Sequence, residues 1–270
     1  MTKSILLCSK SHYAANILLR AAALGCSPDL VLTGTRSGGR GNRLKGFLEI
    51  LKRGFRPAAK VLSAKLNPPL MEGLAPEVRW GGVFNSEQMV EEIKGFKPDF
   101  IFLAGCPIIS EEILSLAPLG VYNAHPGLLP WCRGVGVVEQ AVLRAVPVGI
   151  TIHRVDPGID TGDIVHRELI PLSPSITAAA LRELTYDMQA GAFARFMSRL
   201  RKSGQAAAAA KQTERYKICG WPSPQELEKV EQILAGGSYH RLVEDWVKSS
   251  GRVLPLEFTP SSVAERFKVR

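Results

Sequence analysis

SILLCSKSHYAANILLRAAALGCSPDLVLT, residues 4–33, decides the fold class. Ser4–Cys8 is a short apolar run that reads as a first strand. Ser9–Tyr13 turns the chain, and Ala14–Leu24, rich in Ala and Leu, reads as a buried helix. Asp29–Thr33 is a second apolar run of strand length. Strand, helix and strand in so short a stretch form the unit of a parallel sheet, because a parallel partner needs a crossover connection. The turn after the first strand carries neither GxGxxG nor the Walker pattern, so dinucleotide and P-loop binding are not supported.

Outward from this unit the alternation continues. Residues 34–44 (GTRSGGRGNRL) read as a basic loop. Leu44, Phe47, Leu48, Leu51 and Phe55 then recur at spacings of three and four and describe an amphipathic helix over 44–66. Its basic face (Lys45, Lys52, Arg53, Arg56, Lys60, Lys65) fits a membrane-surface or partner-docking helix, and equally a helix packed on its own domain with solvated cations. Glu77–Trp80, Asp99–Ala104, Gly120–Asn123, Gly149–Val155 and Asp163–Leu172 read as strands. Ser86–Phe96, Ser110–Leu116, Gly134–Val146 and Ile176–Leu200 read as helices, the last with a break near Gly191. Gly204–Ala210 is a linker or helical extension. Ser223 and Pro224 open a further helix, and Ser238–Lys248 is the last before a polar tail.

Composition narrows the function classes. The chain has 270 residues, 46% of them hydrophobic, which is ample for a buried core. No apolar run reaches the ~18 residues that span a bilayer. The apolar run at the N-terminus is too short for a secretory segment, so a cytoplasmic location is expected. Five cysteines with no CxxC pair suggest reduced thiols rather than a zinc site or disulfide framework. A net charge of +9 favours anionic partners: nucleotides, folate polyglutamate tails, RNA or acidic lipid. A basic surface with no specific partner has the same charge.

The chemistry-bearing stretch is YNAHPGLLPWCRG, Tyr122–Gly134, with VDPGIDTGD, Val155–Asp163, downstream. Asn123 and His125 are two apart on an extended segment, so their side chains point the same way. An imidazole, with an ordinary pKa near ~6.5, exchanges protons at neutral pH. An Asn amide can donate to an oxygen that is becoming negative. Asp160 can orient the imidazole or hold a water. That set suits acyl transfer to an amine. Turn chemistry, with Asn ending a strand and His packed before Pro, explains the pair as well, and spacing alone leaves both open. Cys132 lacks a context that would activate a thiol. His125, His153 and His166 fit no metal-ligand spacing, so no metal is expected.

The segment Asn123-Ala124-His125-Pro126-Gly127-Leu128-Leu129-Pro130, followed by Arg133-Gly134 and by Ile159-Asp160-Thr161-Gly162-Asp163, resembles the folate-dependent formyltransferases. That family includes glycinamide ribonucleotide, methionyl-tRNA and amino-sugar formyltransferases. The resemblance covers about residues 3–172 and is strongest over 99–167. It implies an α/β fold with a Rossmann-like open, mostly parallel sheet and helices on both faces, to which the chain's own pattern adds a small, mainly helical C-terminal region. It divides the chain into a catalytic domain, 1–203, with a basic insertion at about 36–66, and an appendage, 204–270. It implies 10-formyltetrahydrofolate as donor and Asn123, His125 and Asp160 as the catalytic set. The loop Phe102, Leu103, Ala104, Gly105, Cys106, Pro107 and Ile108 resembles the pterin cradle, with Asp156, Gly158 and Ile159 as its other wall.

The resemblance is less specific about the acceptor. Ser9, Lys10, Ser11 and Tyr13 replace the ribonucleotide-type phosphate loop. The GGRG segment with Arg40 resembles a loop of the tRNA enzymes, yet the residues after the linker look helical and unlike those enzymes' basic barrel. GITIHRV with DIVHRELI resembles the amino-sugar enzymes. The expectation is N-formylation of a primary amine on a small anionic acceptor, a nucleotide-linked amino sugar first, with Ser9, Lys10, Ser11, Tyr13, Arg40 and Arg133 as substrate contacts. The alternatives are a methionyl-tRNA formyltransferase-like enzyme with tRNA as partner, and a 10-formyltetrahydrofolate hydrolase. A homodimer is compatible with either transferase.

Overall fold

The computed structural model describes residues 2–9, 11–36, 71–251 and 253–254. The basic helix expected over 44–66, most of the insertion around it, Lys10 and Arg40 lie outside these residues. The described chain forms two compact units, Met1–Gly120 with Ala194–Gly204, and Val121–Phe193 with Gln205–Arg270.

The first unit realises the strand–helix–strand reading. β1 (Ser4–Cys8), α1 (His12–Ala23) and β2 (Leu30–Thr35) are followed by β3 (Val78–Val83), α2 (Glu87–Phe96), β4 (Phe100–Ala104) and α3 (Glu111–Ser115). The strand order is β3-β2-β1-β4 and every pairing is parallel, with Ile5 opposite Leu30 on one side and Ile101 on the other. This is the Rossmann-like order, and it explains why β1 and β4 read as unbroken apolar runs: a central parallel strand is covered on both faces. The chain leaves β1 on one side and returns on the other, so the carboxyl ends of β1 and β4 flank the switch point where such folds bind ligands. α1 starts there. The Ser11 hydroxyl caps it by accepting from the Ala14 N–H, 3.3 Å. Ala14, Ile17, Leu18 and Ala21 form its buried stripe at helical spacing.

The second unit is built from β5 (Gly120–His125), α4 (Val137–Leu143), β6 (Gly149–Arg154), β7 (Ile164–Leu169), the first part of α5 (Ala178–Ser203), α6 (Pro224–Ala235), α7 (Ser238–Ser250) and β8 (Val253–Leu254). Its strands pair antiparallel in the order β5-β6-β7-β8. Its core joins Leu128, Val138, Leu181, Val230, Leu234 and Val243, so the C-terminal helices share one hydrophobic cluster with the residues after β5. Trp131 meets Trp246 edge-on, ring centroids 5.9 Å apart. α6 opens with the capping box that Ser223 suggests. The Ser223 hydroxyl accepts from the Glu226 N–H, and the Glu226 carboxylate accepts from the Ser223 N–H, 3.2 and 2.7 Å.

Three local readings change. α4 begins at Val137 rather than Gly134, because Gly134 and Gly136 hold left-handed φ of 98° and 63°. α5 runs unbroken through Gly191. Gly204–Ala210 ends extended, with Ala210 and Ile164 exchanging N–H···O bonds of 2.8 Å.

Asp29 holds the edge of the first unit. One carboxylate oxygen accepts from the Ser4 N–H, 2.8 Å, and its hydroxyl, 3.0 Å; the other takes Arg201 Nη2 at 2.8 Å. Ser4 is fully buried, so Asp29→Ala strands its N–H and lowers stability by about 2–3 kcal/mol. A shift of the urea midpoint below the equivalent of ~0.5 kcal/mol contradicts this.

Candidate active site

β5 carries Asn123 and His125 out on the same face, as their spacing requires. Antiparallel pairing sets His153 of β6 directly opposite Asn123. The third component comes from the turn after β6. Asp156 Oδ1 accepts from the Gly158 N–H at 3.2 Å and from the Thr161 hydroxyl at 2.6 Å, closing a tight loop. Only Gly fits at 158 and 162. A Cβ on Gly158 would strike the Thr161 hydroxyl, and one on Gly162 would strike the Arg154 carbonyl oxygen. Asp160, at the apex, is left-handed with φ 50°, a conformation Asp tolerates better than most residues.

Five hydrogen bonds from three residues fix this turn. The Gly134 N–H donates to Asp160 Oδ2, 2.8 Å. Arg133 Nε and Nη2 both donate to the Ile159 carbonyl, 3.0 and 2.7 Å, while Nη1 donates to the Tyr216 carbonyl, 3.2 Å. Gln212 Nε2 donates to the carbonyls of Asp160 and Gly162, 3.1 and 2.7 Å. Arg133 is buried, and its guanidinium ties the turn to the Tyr216 carbonyl.

The Asp160 carboxylate lies between two imidazoles. Oδ2 is 3.6 Å from His125 Nδ1, and Oδ1 is 3.6 Å from His153 Nε2; both are ion-pair rather than hydrogen-bond distances. The networks assign the tautomers. His125 Nε2 is 2.6 Å from the Cys132 carbonyl oxygen, so Nε2 carries a hydrogen and Nδ1 is left facing Asp160. His153 Nδ1 lies 3.2 Å from the Arg154 carbonyl and donates to it, so Nε2 accepts from Asn123 Nδ2 at 3.3 Å. Burial is the main force on His153. It pulls the pKa down to about 4 against the opposing pull of Asp160, so this ring is neutral at pH 7. A neutral acceptor fixes the Asn123 amide and leaves its second N–H for another oxygen.

The expected donor loop lies in the first unit. Phe102, Leu103 and Ala104 end β4 in the core, and Gly105 turns with φ 68°. A Cβ at Gly105 would lie 3.0 Å from the Ser9 hydroxyl and 3.8 Å from that of Ser11, so two of the expected substrate residues sit beside this loop at the ends of β1 and β4. Tyr13 follows in the first turn of α1. Cys106 is held by a 3.0 Å bond from its thiol to the Leu7 carbonyl, and burial pushes that thiol far up. Cys132 is no better a nucleophile, raised by its bond with Cys219 and then by burial. Pro107 leads to Ile108, which is 62% exposed. Asn85, in a left-handed conformation, clamps this tip: its amide donates to the Ile108 carbonyl and accepts from the Ser110 N–H, both 2.9 Å. Among the described residues no group of three or more His, Cys, Asp or Glu is arranged to hold a metal ion.

Sequence reasoning weighed His153 only as a metal ligand and passed over Gln212 and Asn85. The HxV alternation of β6 was visible, but its pairing register with Asn123 was not.

His153 also makes stability depend on pH. Its folded pKa lies below its unfolded value near ~6.5, so the unfolded state binds the extra proton first. Stability is then full above about pH 6.5 and falls as pH drops toward about 4, by up to ~3 kcal/mol. His153→Gln removes that component. Urea midpoints of wild type and variant at pH 7 and pH 4.5 check it; parallel losses in both proteins contradict it.

Methionyl-tRNA formyltransferase of Carboxydothermus hydrogenoformans is 34% identical over 121 residues, 44% of this chain and 39% of that protein. The Desulfotalea psychrophila protein of the same name is 31% identical over 186 residues, 67% of this chain and 52% of that one. The chain spans about two fifths of the length of the first curated relatives it matches. A sugar N-formyltransferase from a Shewanella species shares the fold, with a TM-score of 0.58 at 15% identity, over 86% of this chain and 87% of that one. Residues 55–197, more than half of the chain, match the family described as formyl transferase, and this chain belongs to that family.

Proposed function

We propose that the chain moves a formyl group from 10-formyltetrahydrofolate to a primary amine of a small anionic acceptor, a nucleotide-linked amino sugar first. The observation that supports the chemistry is the Asp160 carboxylate between two imidazoles, Oδ2 3.6 Å from His125 Nδ1 and Oδ1 3.6 Å from His153 Nε2, with the Asn123 amide bonded to that second ring. The amine lone pair attacks the formyl carbon, and the carbonyl electrons move onto oxygen. The second Asn123 N–H stabilises that oxyanion, joined by the charge that His125 gains as Nδ1 takes up the amine proton. The amine proton passes to the His125–Asp160 pair and is returned to N10 of tetrahydrofolate as the C–N10 bond breaks. The products are the formamide and tetrahydrofolate.

His153 does not exchange protons in this scheme; it keeps Asn123 aimed. The segments assigned to the pterin, Phe102–Ile108 and Asp156–Ile159, each offer a tight, glycine-containing backbone, which suits recognition through main-chain groups. Ser9 and Ser11, beside Gly105, and Tyr13 remain the proposed acceptor contacts. The amino-sugar reading draws support from the shared fold of the Shewanella sugar N-formyltransferase. The curated relatives favour a second acceptor, methionyl-tRNA.

The test incubates the full chain with 10-formyltetrahydrofolate and a panel of amines, following tetrahydrofolate and formylated product. Uridine- and thymidine-diphosphate amino sugars and methionyl-tRNA are included, with an amine-free control for hydrolysis. With the productive amine, His125→Ala lowers kcat/KM by about 10²–10⁴-fold and Asn123→Ala by about 10²–10³-fold. Near wild-type turnover by His125→Ala removes the assignment. A tRNA acceptor would show itself by a steep fall of affinity with salt.

A further inference from the structure

Residues 211–222, KQTERYKICGWP, are strapped to the catalytic turn at successive points. Gln212 holds the Asp160 and Gly162 carbonyls. Arg133 links the Tyr216 carbonyl to that of Ile159. Cys219 then pairs with the 133–135 segment: its N–H donates to the Arg133 carbonyl, 2.7 Å, and its carbonyl accepts from the Val135 N–H, 3.3 Å. Gly134 lies between them, and its N–H is the donor to the Asp160 carboxylate. A Cβ on Gly134 would lie 2.6 Å from both the Cys219 carbonyl oxygen and the Ile218 Cγ2 methyl. The Ile218 methyl therefore rests against the Gly134 backbone. These contacts and standard bond lengths hold it within about 9 Å of the Asp160 carboxylate.

The other sides of these residues face solvent. Tyr216 is 36% exposed, Ile218 46% and Trp221 49%. Cations alternate with them: Lys211, Arg215 and Lys217 are all exposed. The segment's one carboxylate, Glu214, accepts the Tyr216 hydroxyl at 2.7 Å. Three cations against one carboxylate leave a net +2. Aromatic faces accept bases by stacking, and a guanidinium or ammonium beside them pairs with phosphate oxygens. A long RNA needs a track of cations along its backbone. A net +2 next to two half-exposed rings instead matches one base and one diphosphate.

We propose that this strap is the acceptor-specificity element, receiving the nucleoside diphosphate part of the acceptor. The base lies on Tyr216 and Trp221, and the diphosphate lies at Arg215 and Lys217. Ile218 fills the space toward the catalytic turn. The proposal rests on the formyl-transfer reading for its role, but the nucleotide binding it requires is measurable without turnover.

The test titrates the full chain with UDP, dTDP and GDP by calorimetry, with inorganic pyrophosphate and a single-stranded RNA ending in CCA as comparators. At least one nucleotide binds saturably and more tightly than pyrophosphate. Trp221→Ala and the double variant Arg215→Glu/Lys217→Glu each weaken it about tenfold or more, while Trp221→Phe stays within about threefold. The charge variant alters exposed side chains only, so its fold is safe if Trp221→Ala is not. Three results overturn the proposal: no saturable nucleotide binding, equal affinity in wild type and both variants, or RNA bound more tightly than any nucleotide through these same residues. With an acceptor in hand, the strap variants raise its KM about tenfold and leave kcat within about twofold. Formyl transfer with an unchanged acceptor KM sinks the strap and spares the chemistry. Nucleotide binding lost in the variants, with no formyl transfer to any amine, does the reverse.

Discussion

The hydrogen bond from the Gly134 N–H to the Asp160 carboxylate is the constraint on which the site depends. It joins two segments far apart in sequence, the end of the Asn123–Gly134 motif and the 155–163 turn, and it determines where the negative charge sits. Its geometry explains the glycines around it. Gly134 must be left-handed and bare because Cys219 and Ile218 crowd the position of its missing side chain. Gly162 must be bare because the Arg154 carbonyl occupies that space. Asp160 itself adopts a left-handed φ at the apex, a strained backbone that persists because its carboxylate, its carbonyl and the carbonyl before it are all held.

A carboxylate placed between two buried imidazoles could hold a proton on either. His153 is driven to the neutral form although Asp160 pulls the other way, and its remaining lone pair is occupied by Asn123. His125 has its Nε2 hydrogen committed to the Cys132 carbonyl, which turns Nδ1 toward the carboxylate. The two rings look alike in sequence and sit differently: one is bonded to the Asn123 amide, and the other turns its free nitrogen to the carboxylate, which is the arrangement the proposed proton transfer uses.

Much of this was legible in the sequence, for physical reasons that differ by residue. β1, α1 and β2 could be read because buried parallel strands are continuous apolar runs and α1 has a helical stripe. Asn123 and His125 could be read because a period of two places them on one face. His153 could not be assigned its duty, since cross-strand partners depend on register, and the pairing of Asn123 with His153 is set by the fold rather than by spacing. Arg133 was expected to reach substrate, and the structure instead shows its guanidinium bonded to carbonyls of the turn and of the 211–222 segment. A buried guanidinium satisfied by main-chain oxygens has no signature in a single sequence. The start of α4 was misread for a related reason: left-handed glycines delay the helix, and nothing local distinguishes them from glycines inside one.

The backbone of the catalytic turn is bound on one side by its own Asx loop and on the other by residues 212–219. Gly134 fixes the Asp160 carboxylate, and Gln212 holds the backbone carbonyls of Asp160 and Gly162. What Gln212 and the Cys219 pairing accomplish is to register a second segment against the reacting groups. An enzyme that formylates one amine among many needs contacts to the unreacting part of its acceptor, held at a constant distance from the chemistry. The proposed strap, tied to the carbonyls of the turn, would meet that need. Its own backbone stays in place through Gln212 and Cys219, while exposed side chains at 215, 216, 217 and 221 can change without disturbing Asp160. In the proposed reaction the chemistry and the choice of acceptor are thus separable along the chain, the first in Asn123–Gly134 and the 155–163 turn, the second in a segment that touches them through the Gln212 amide, the Cys219 residue and the Ile218 methyl group.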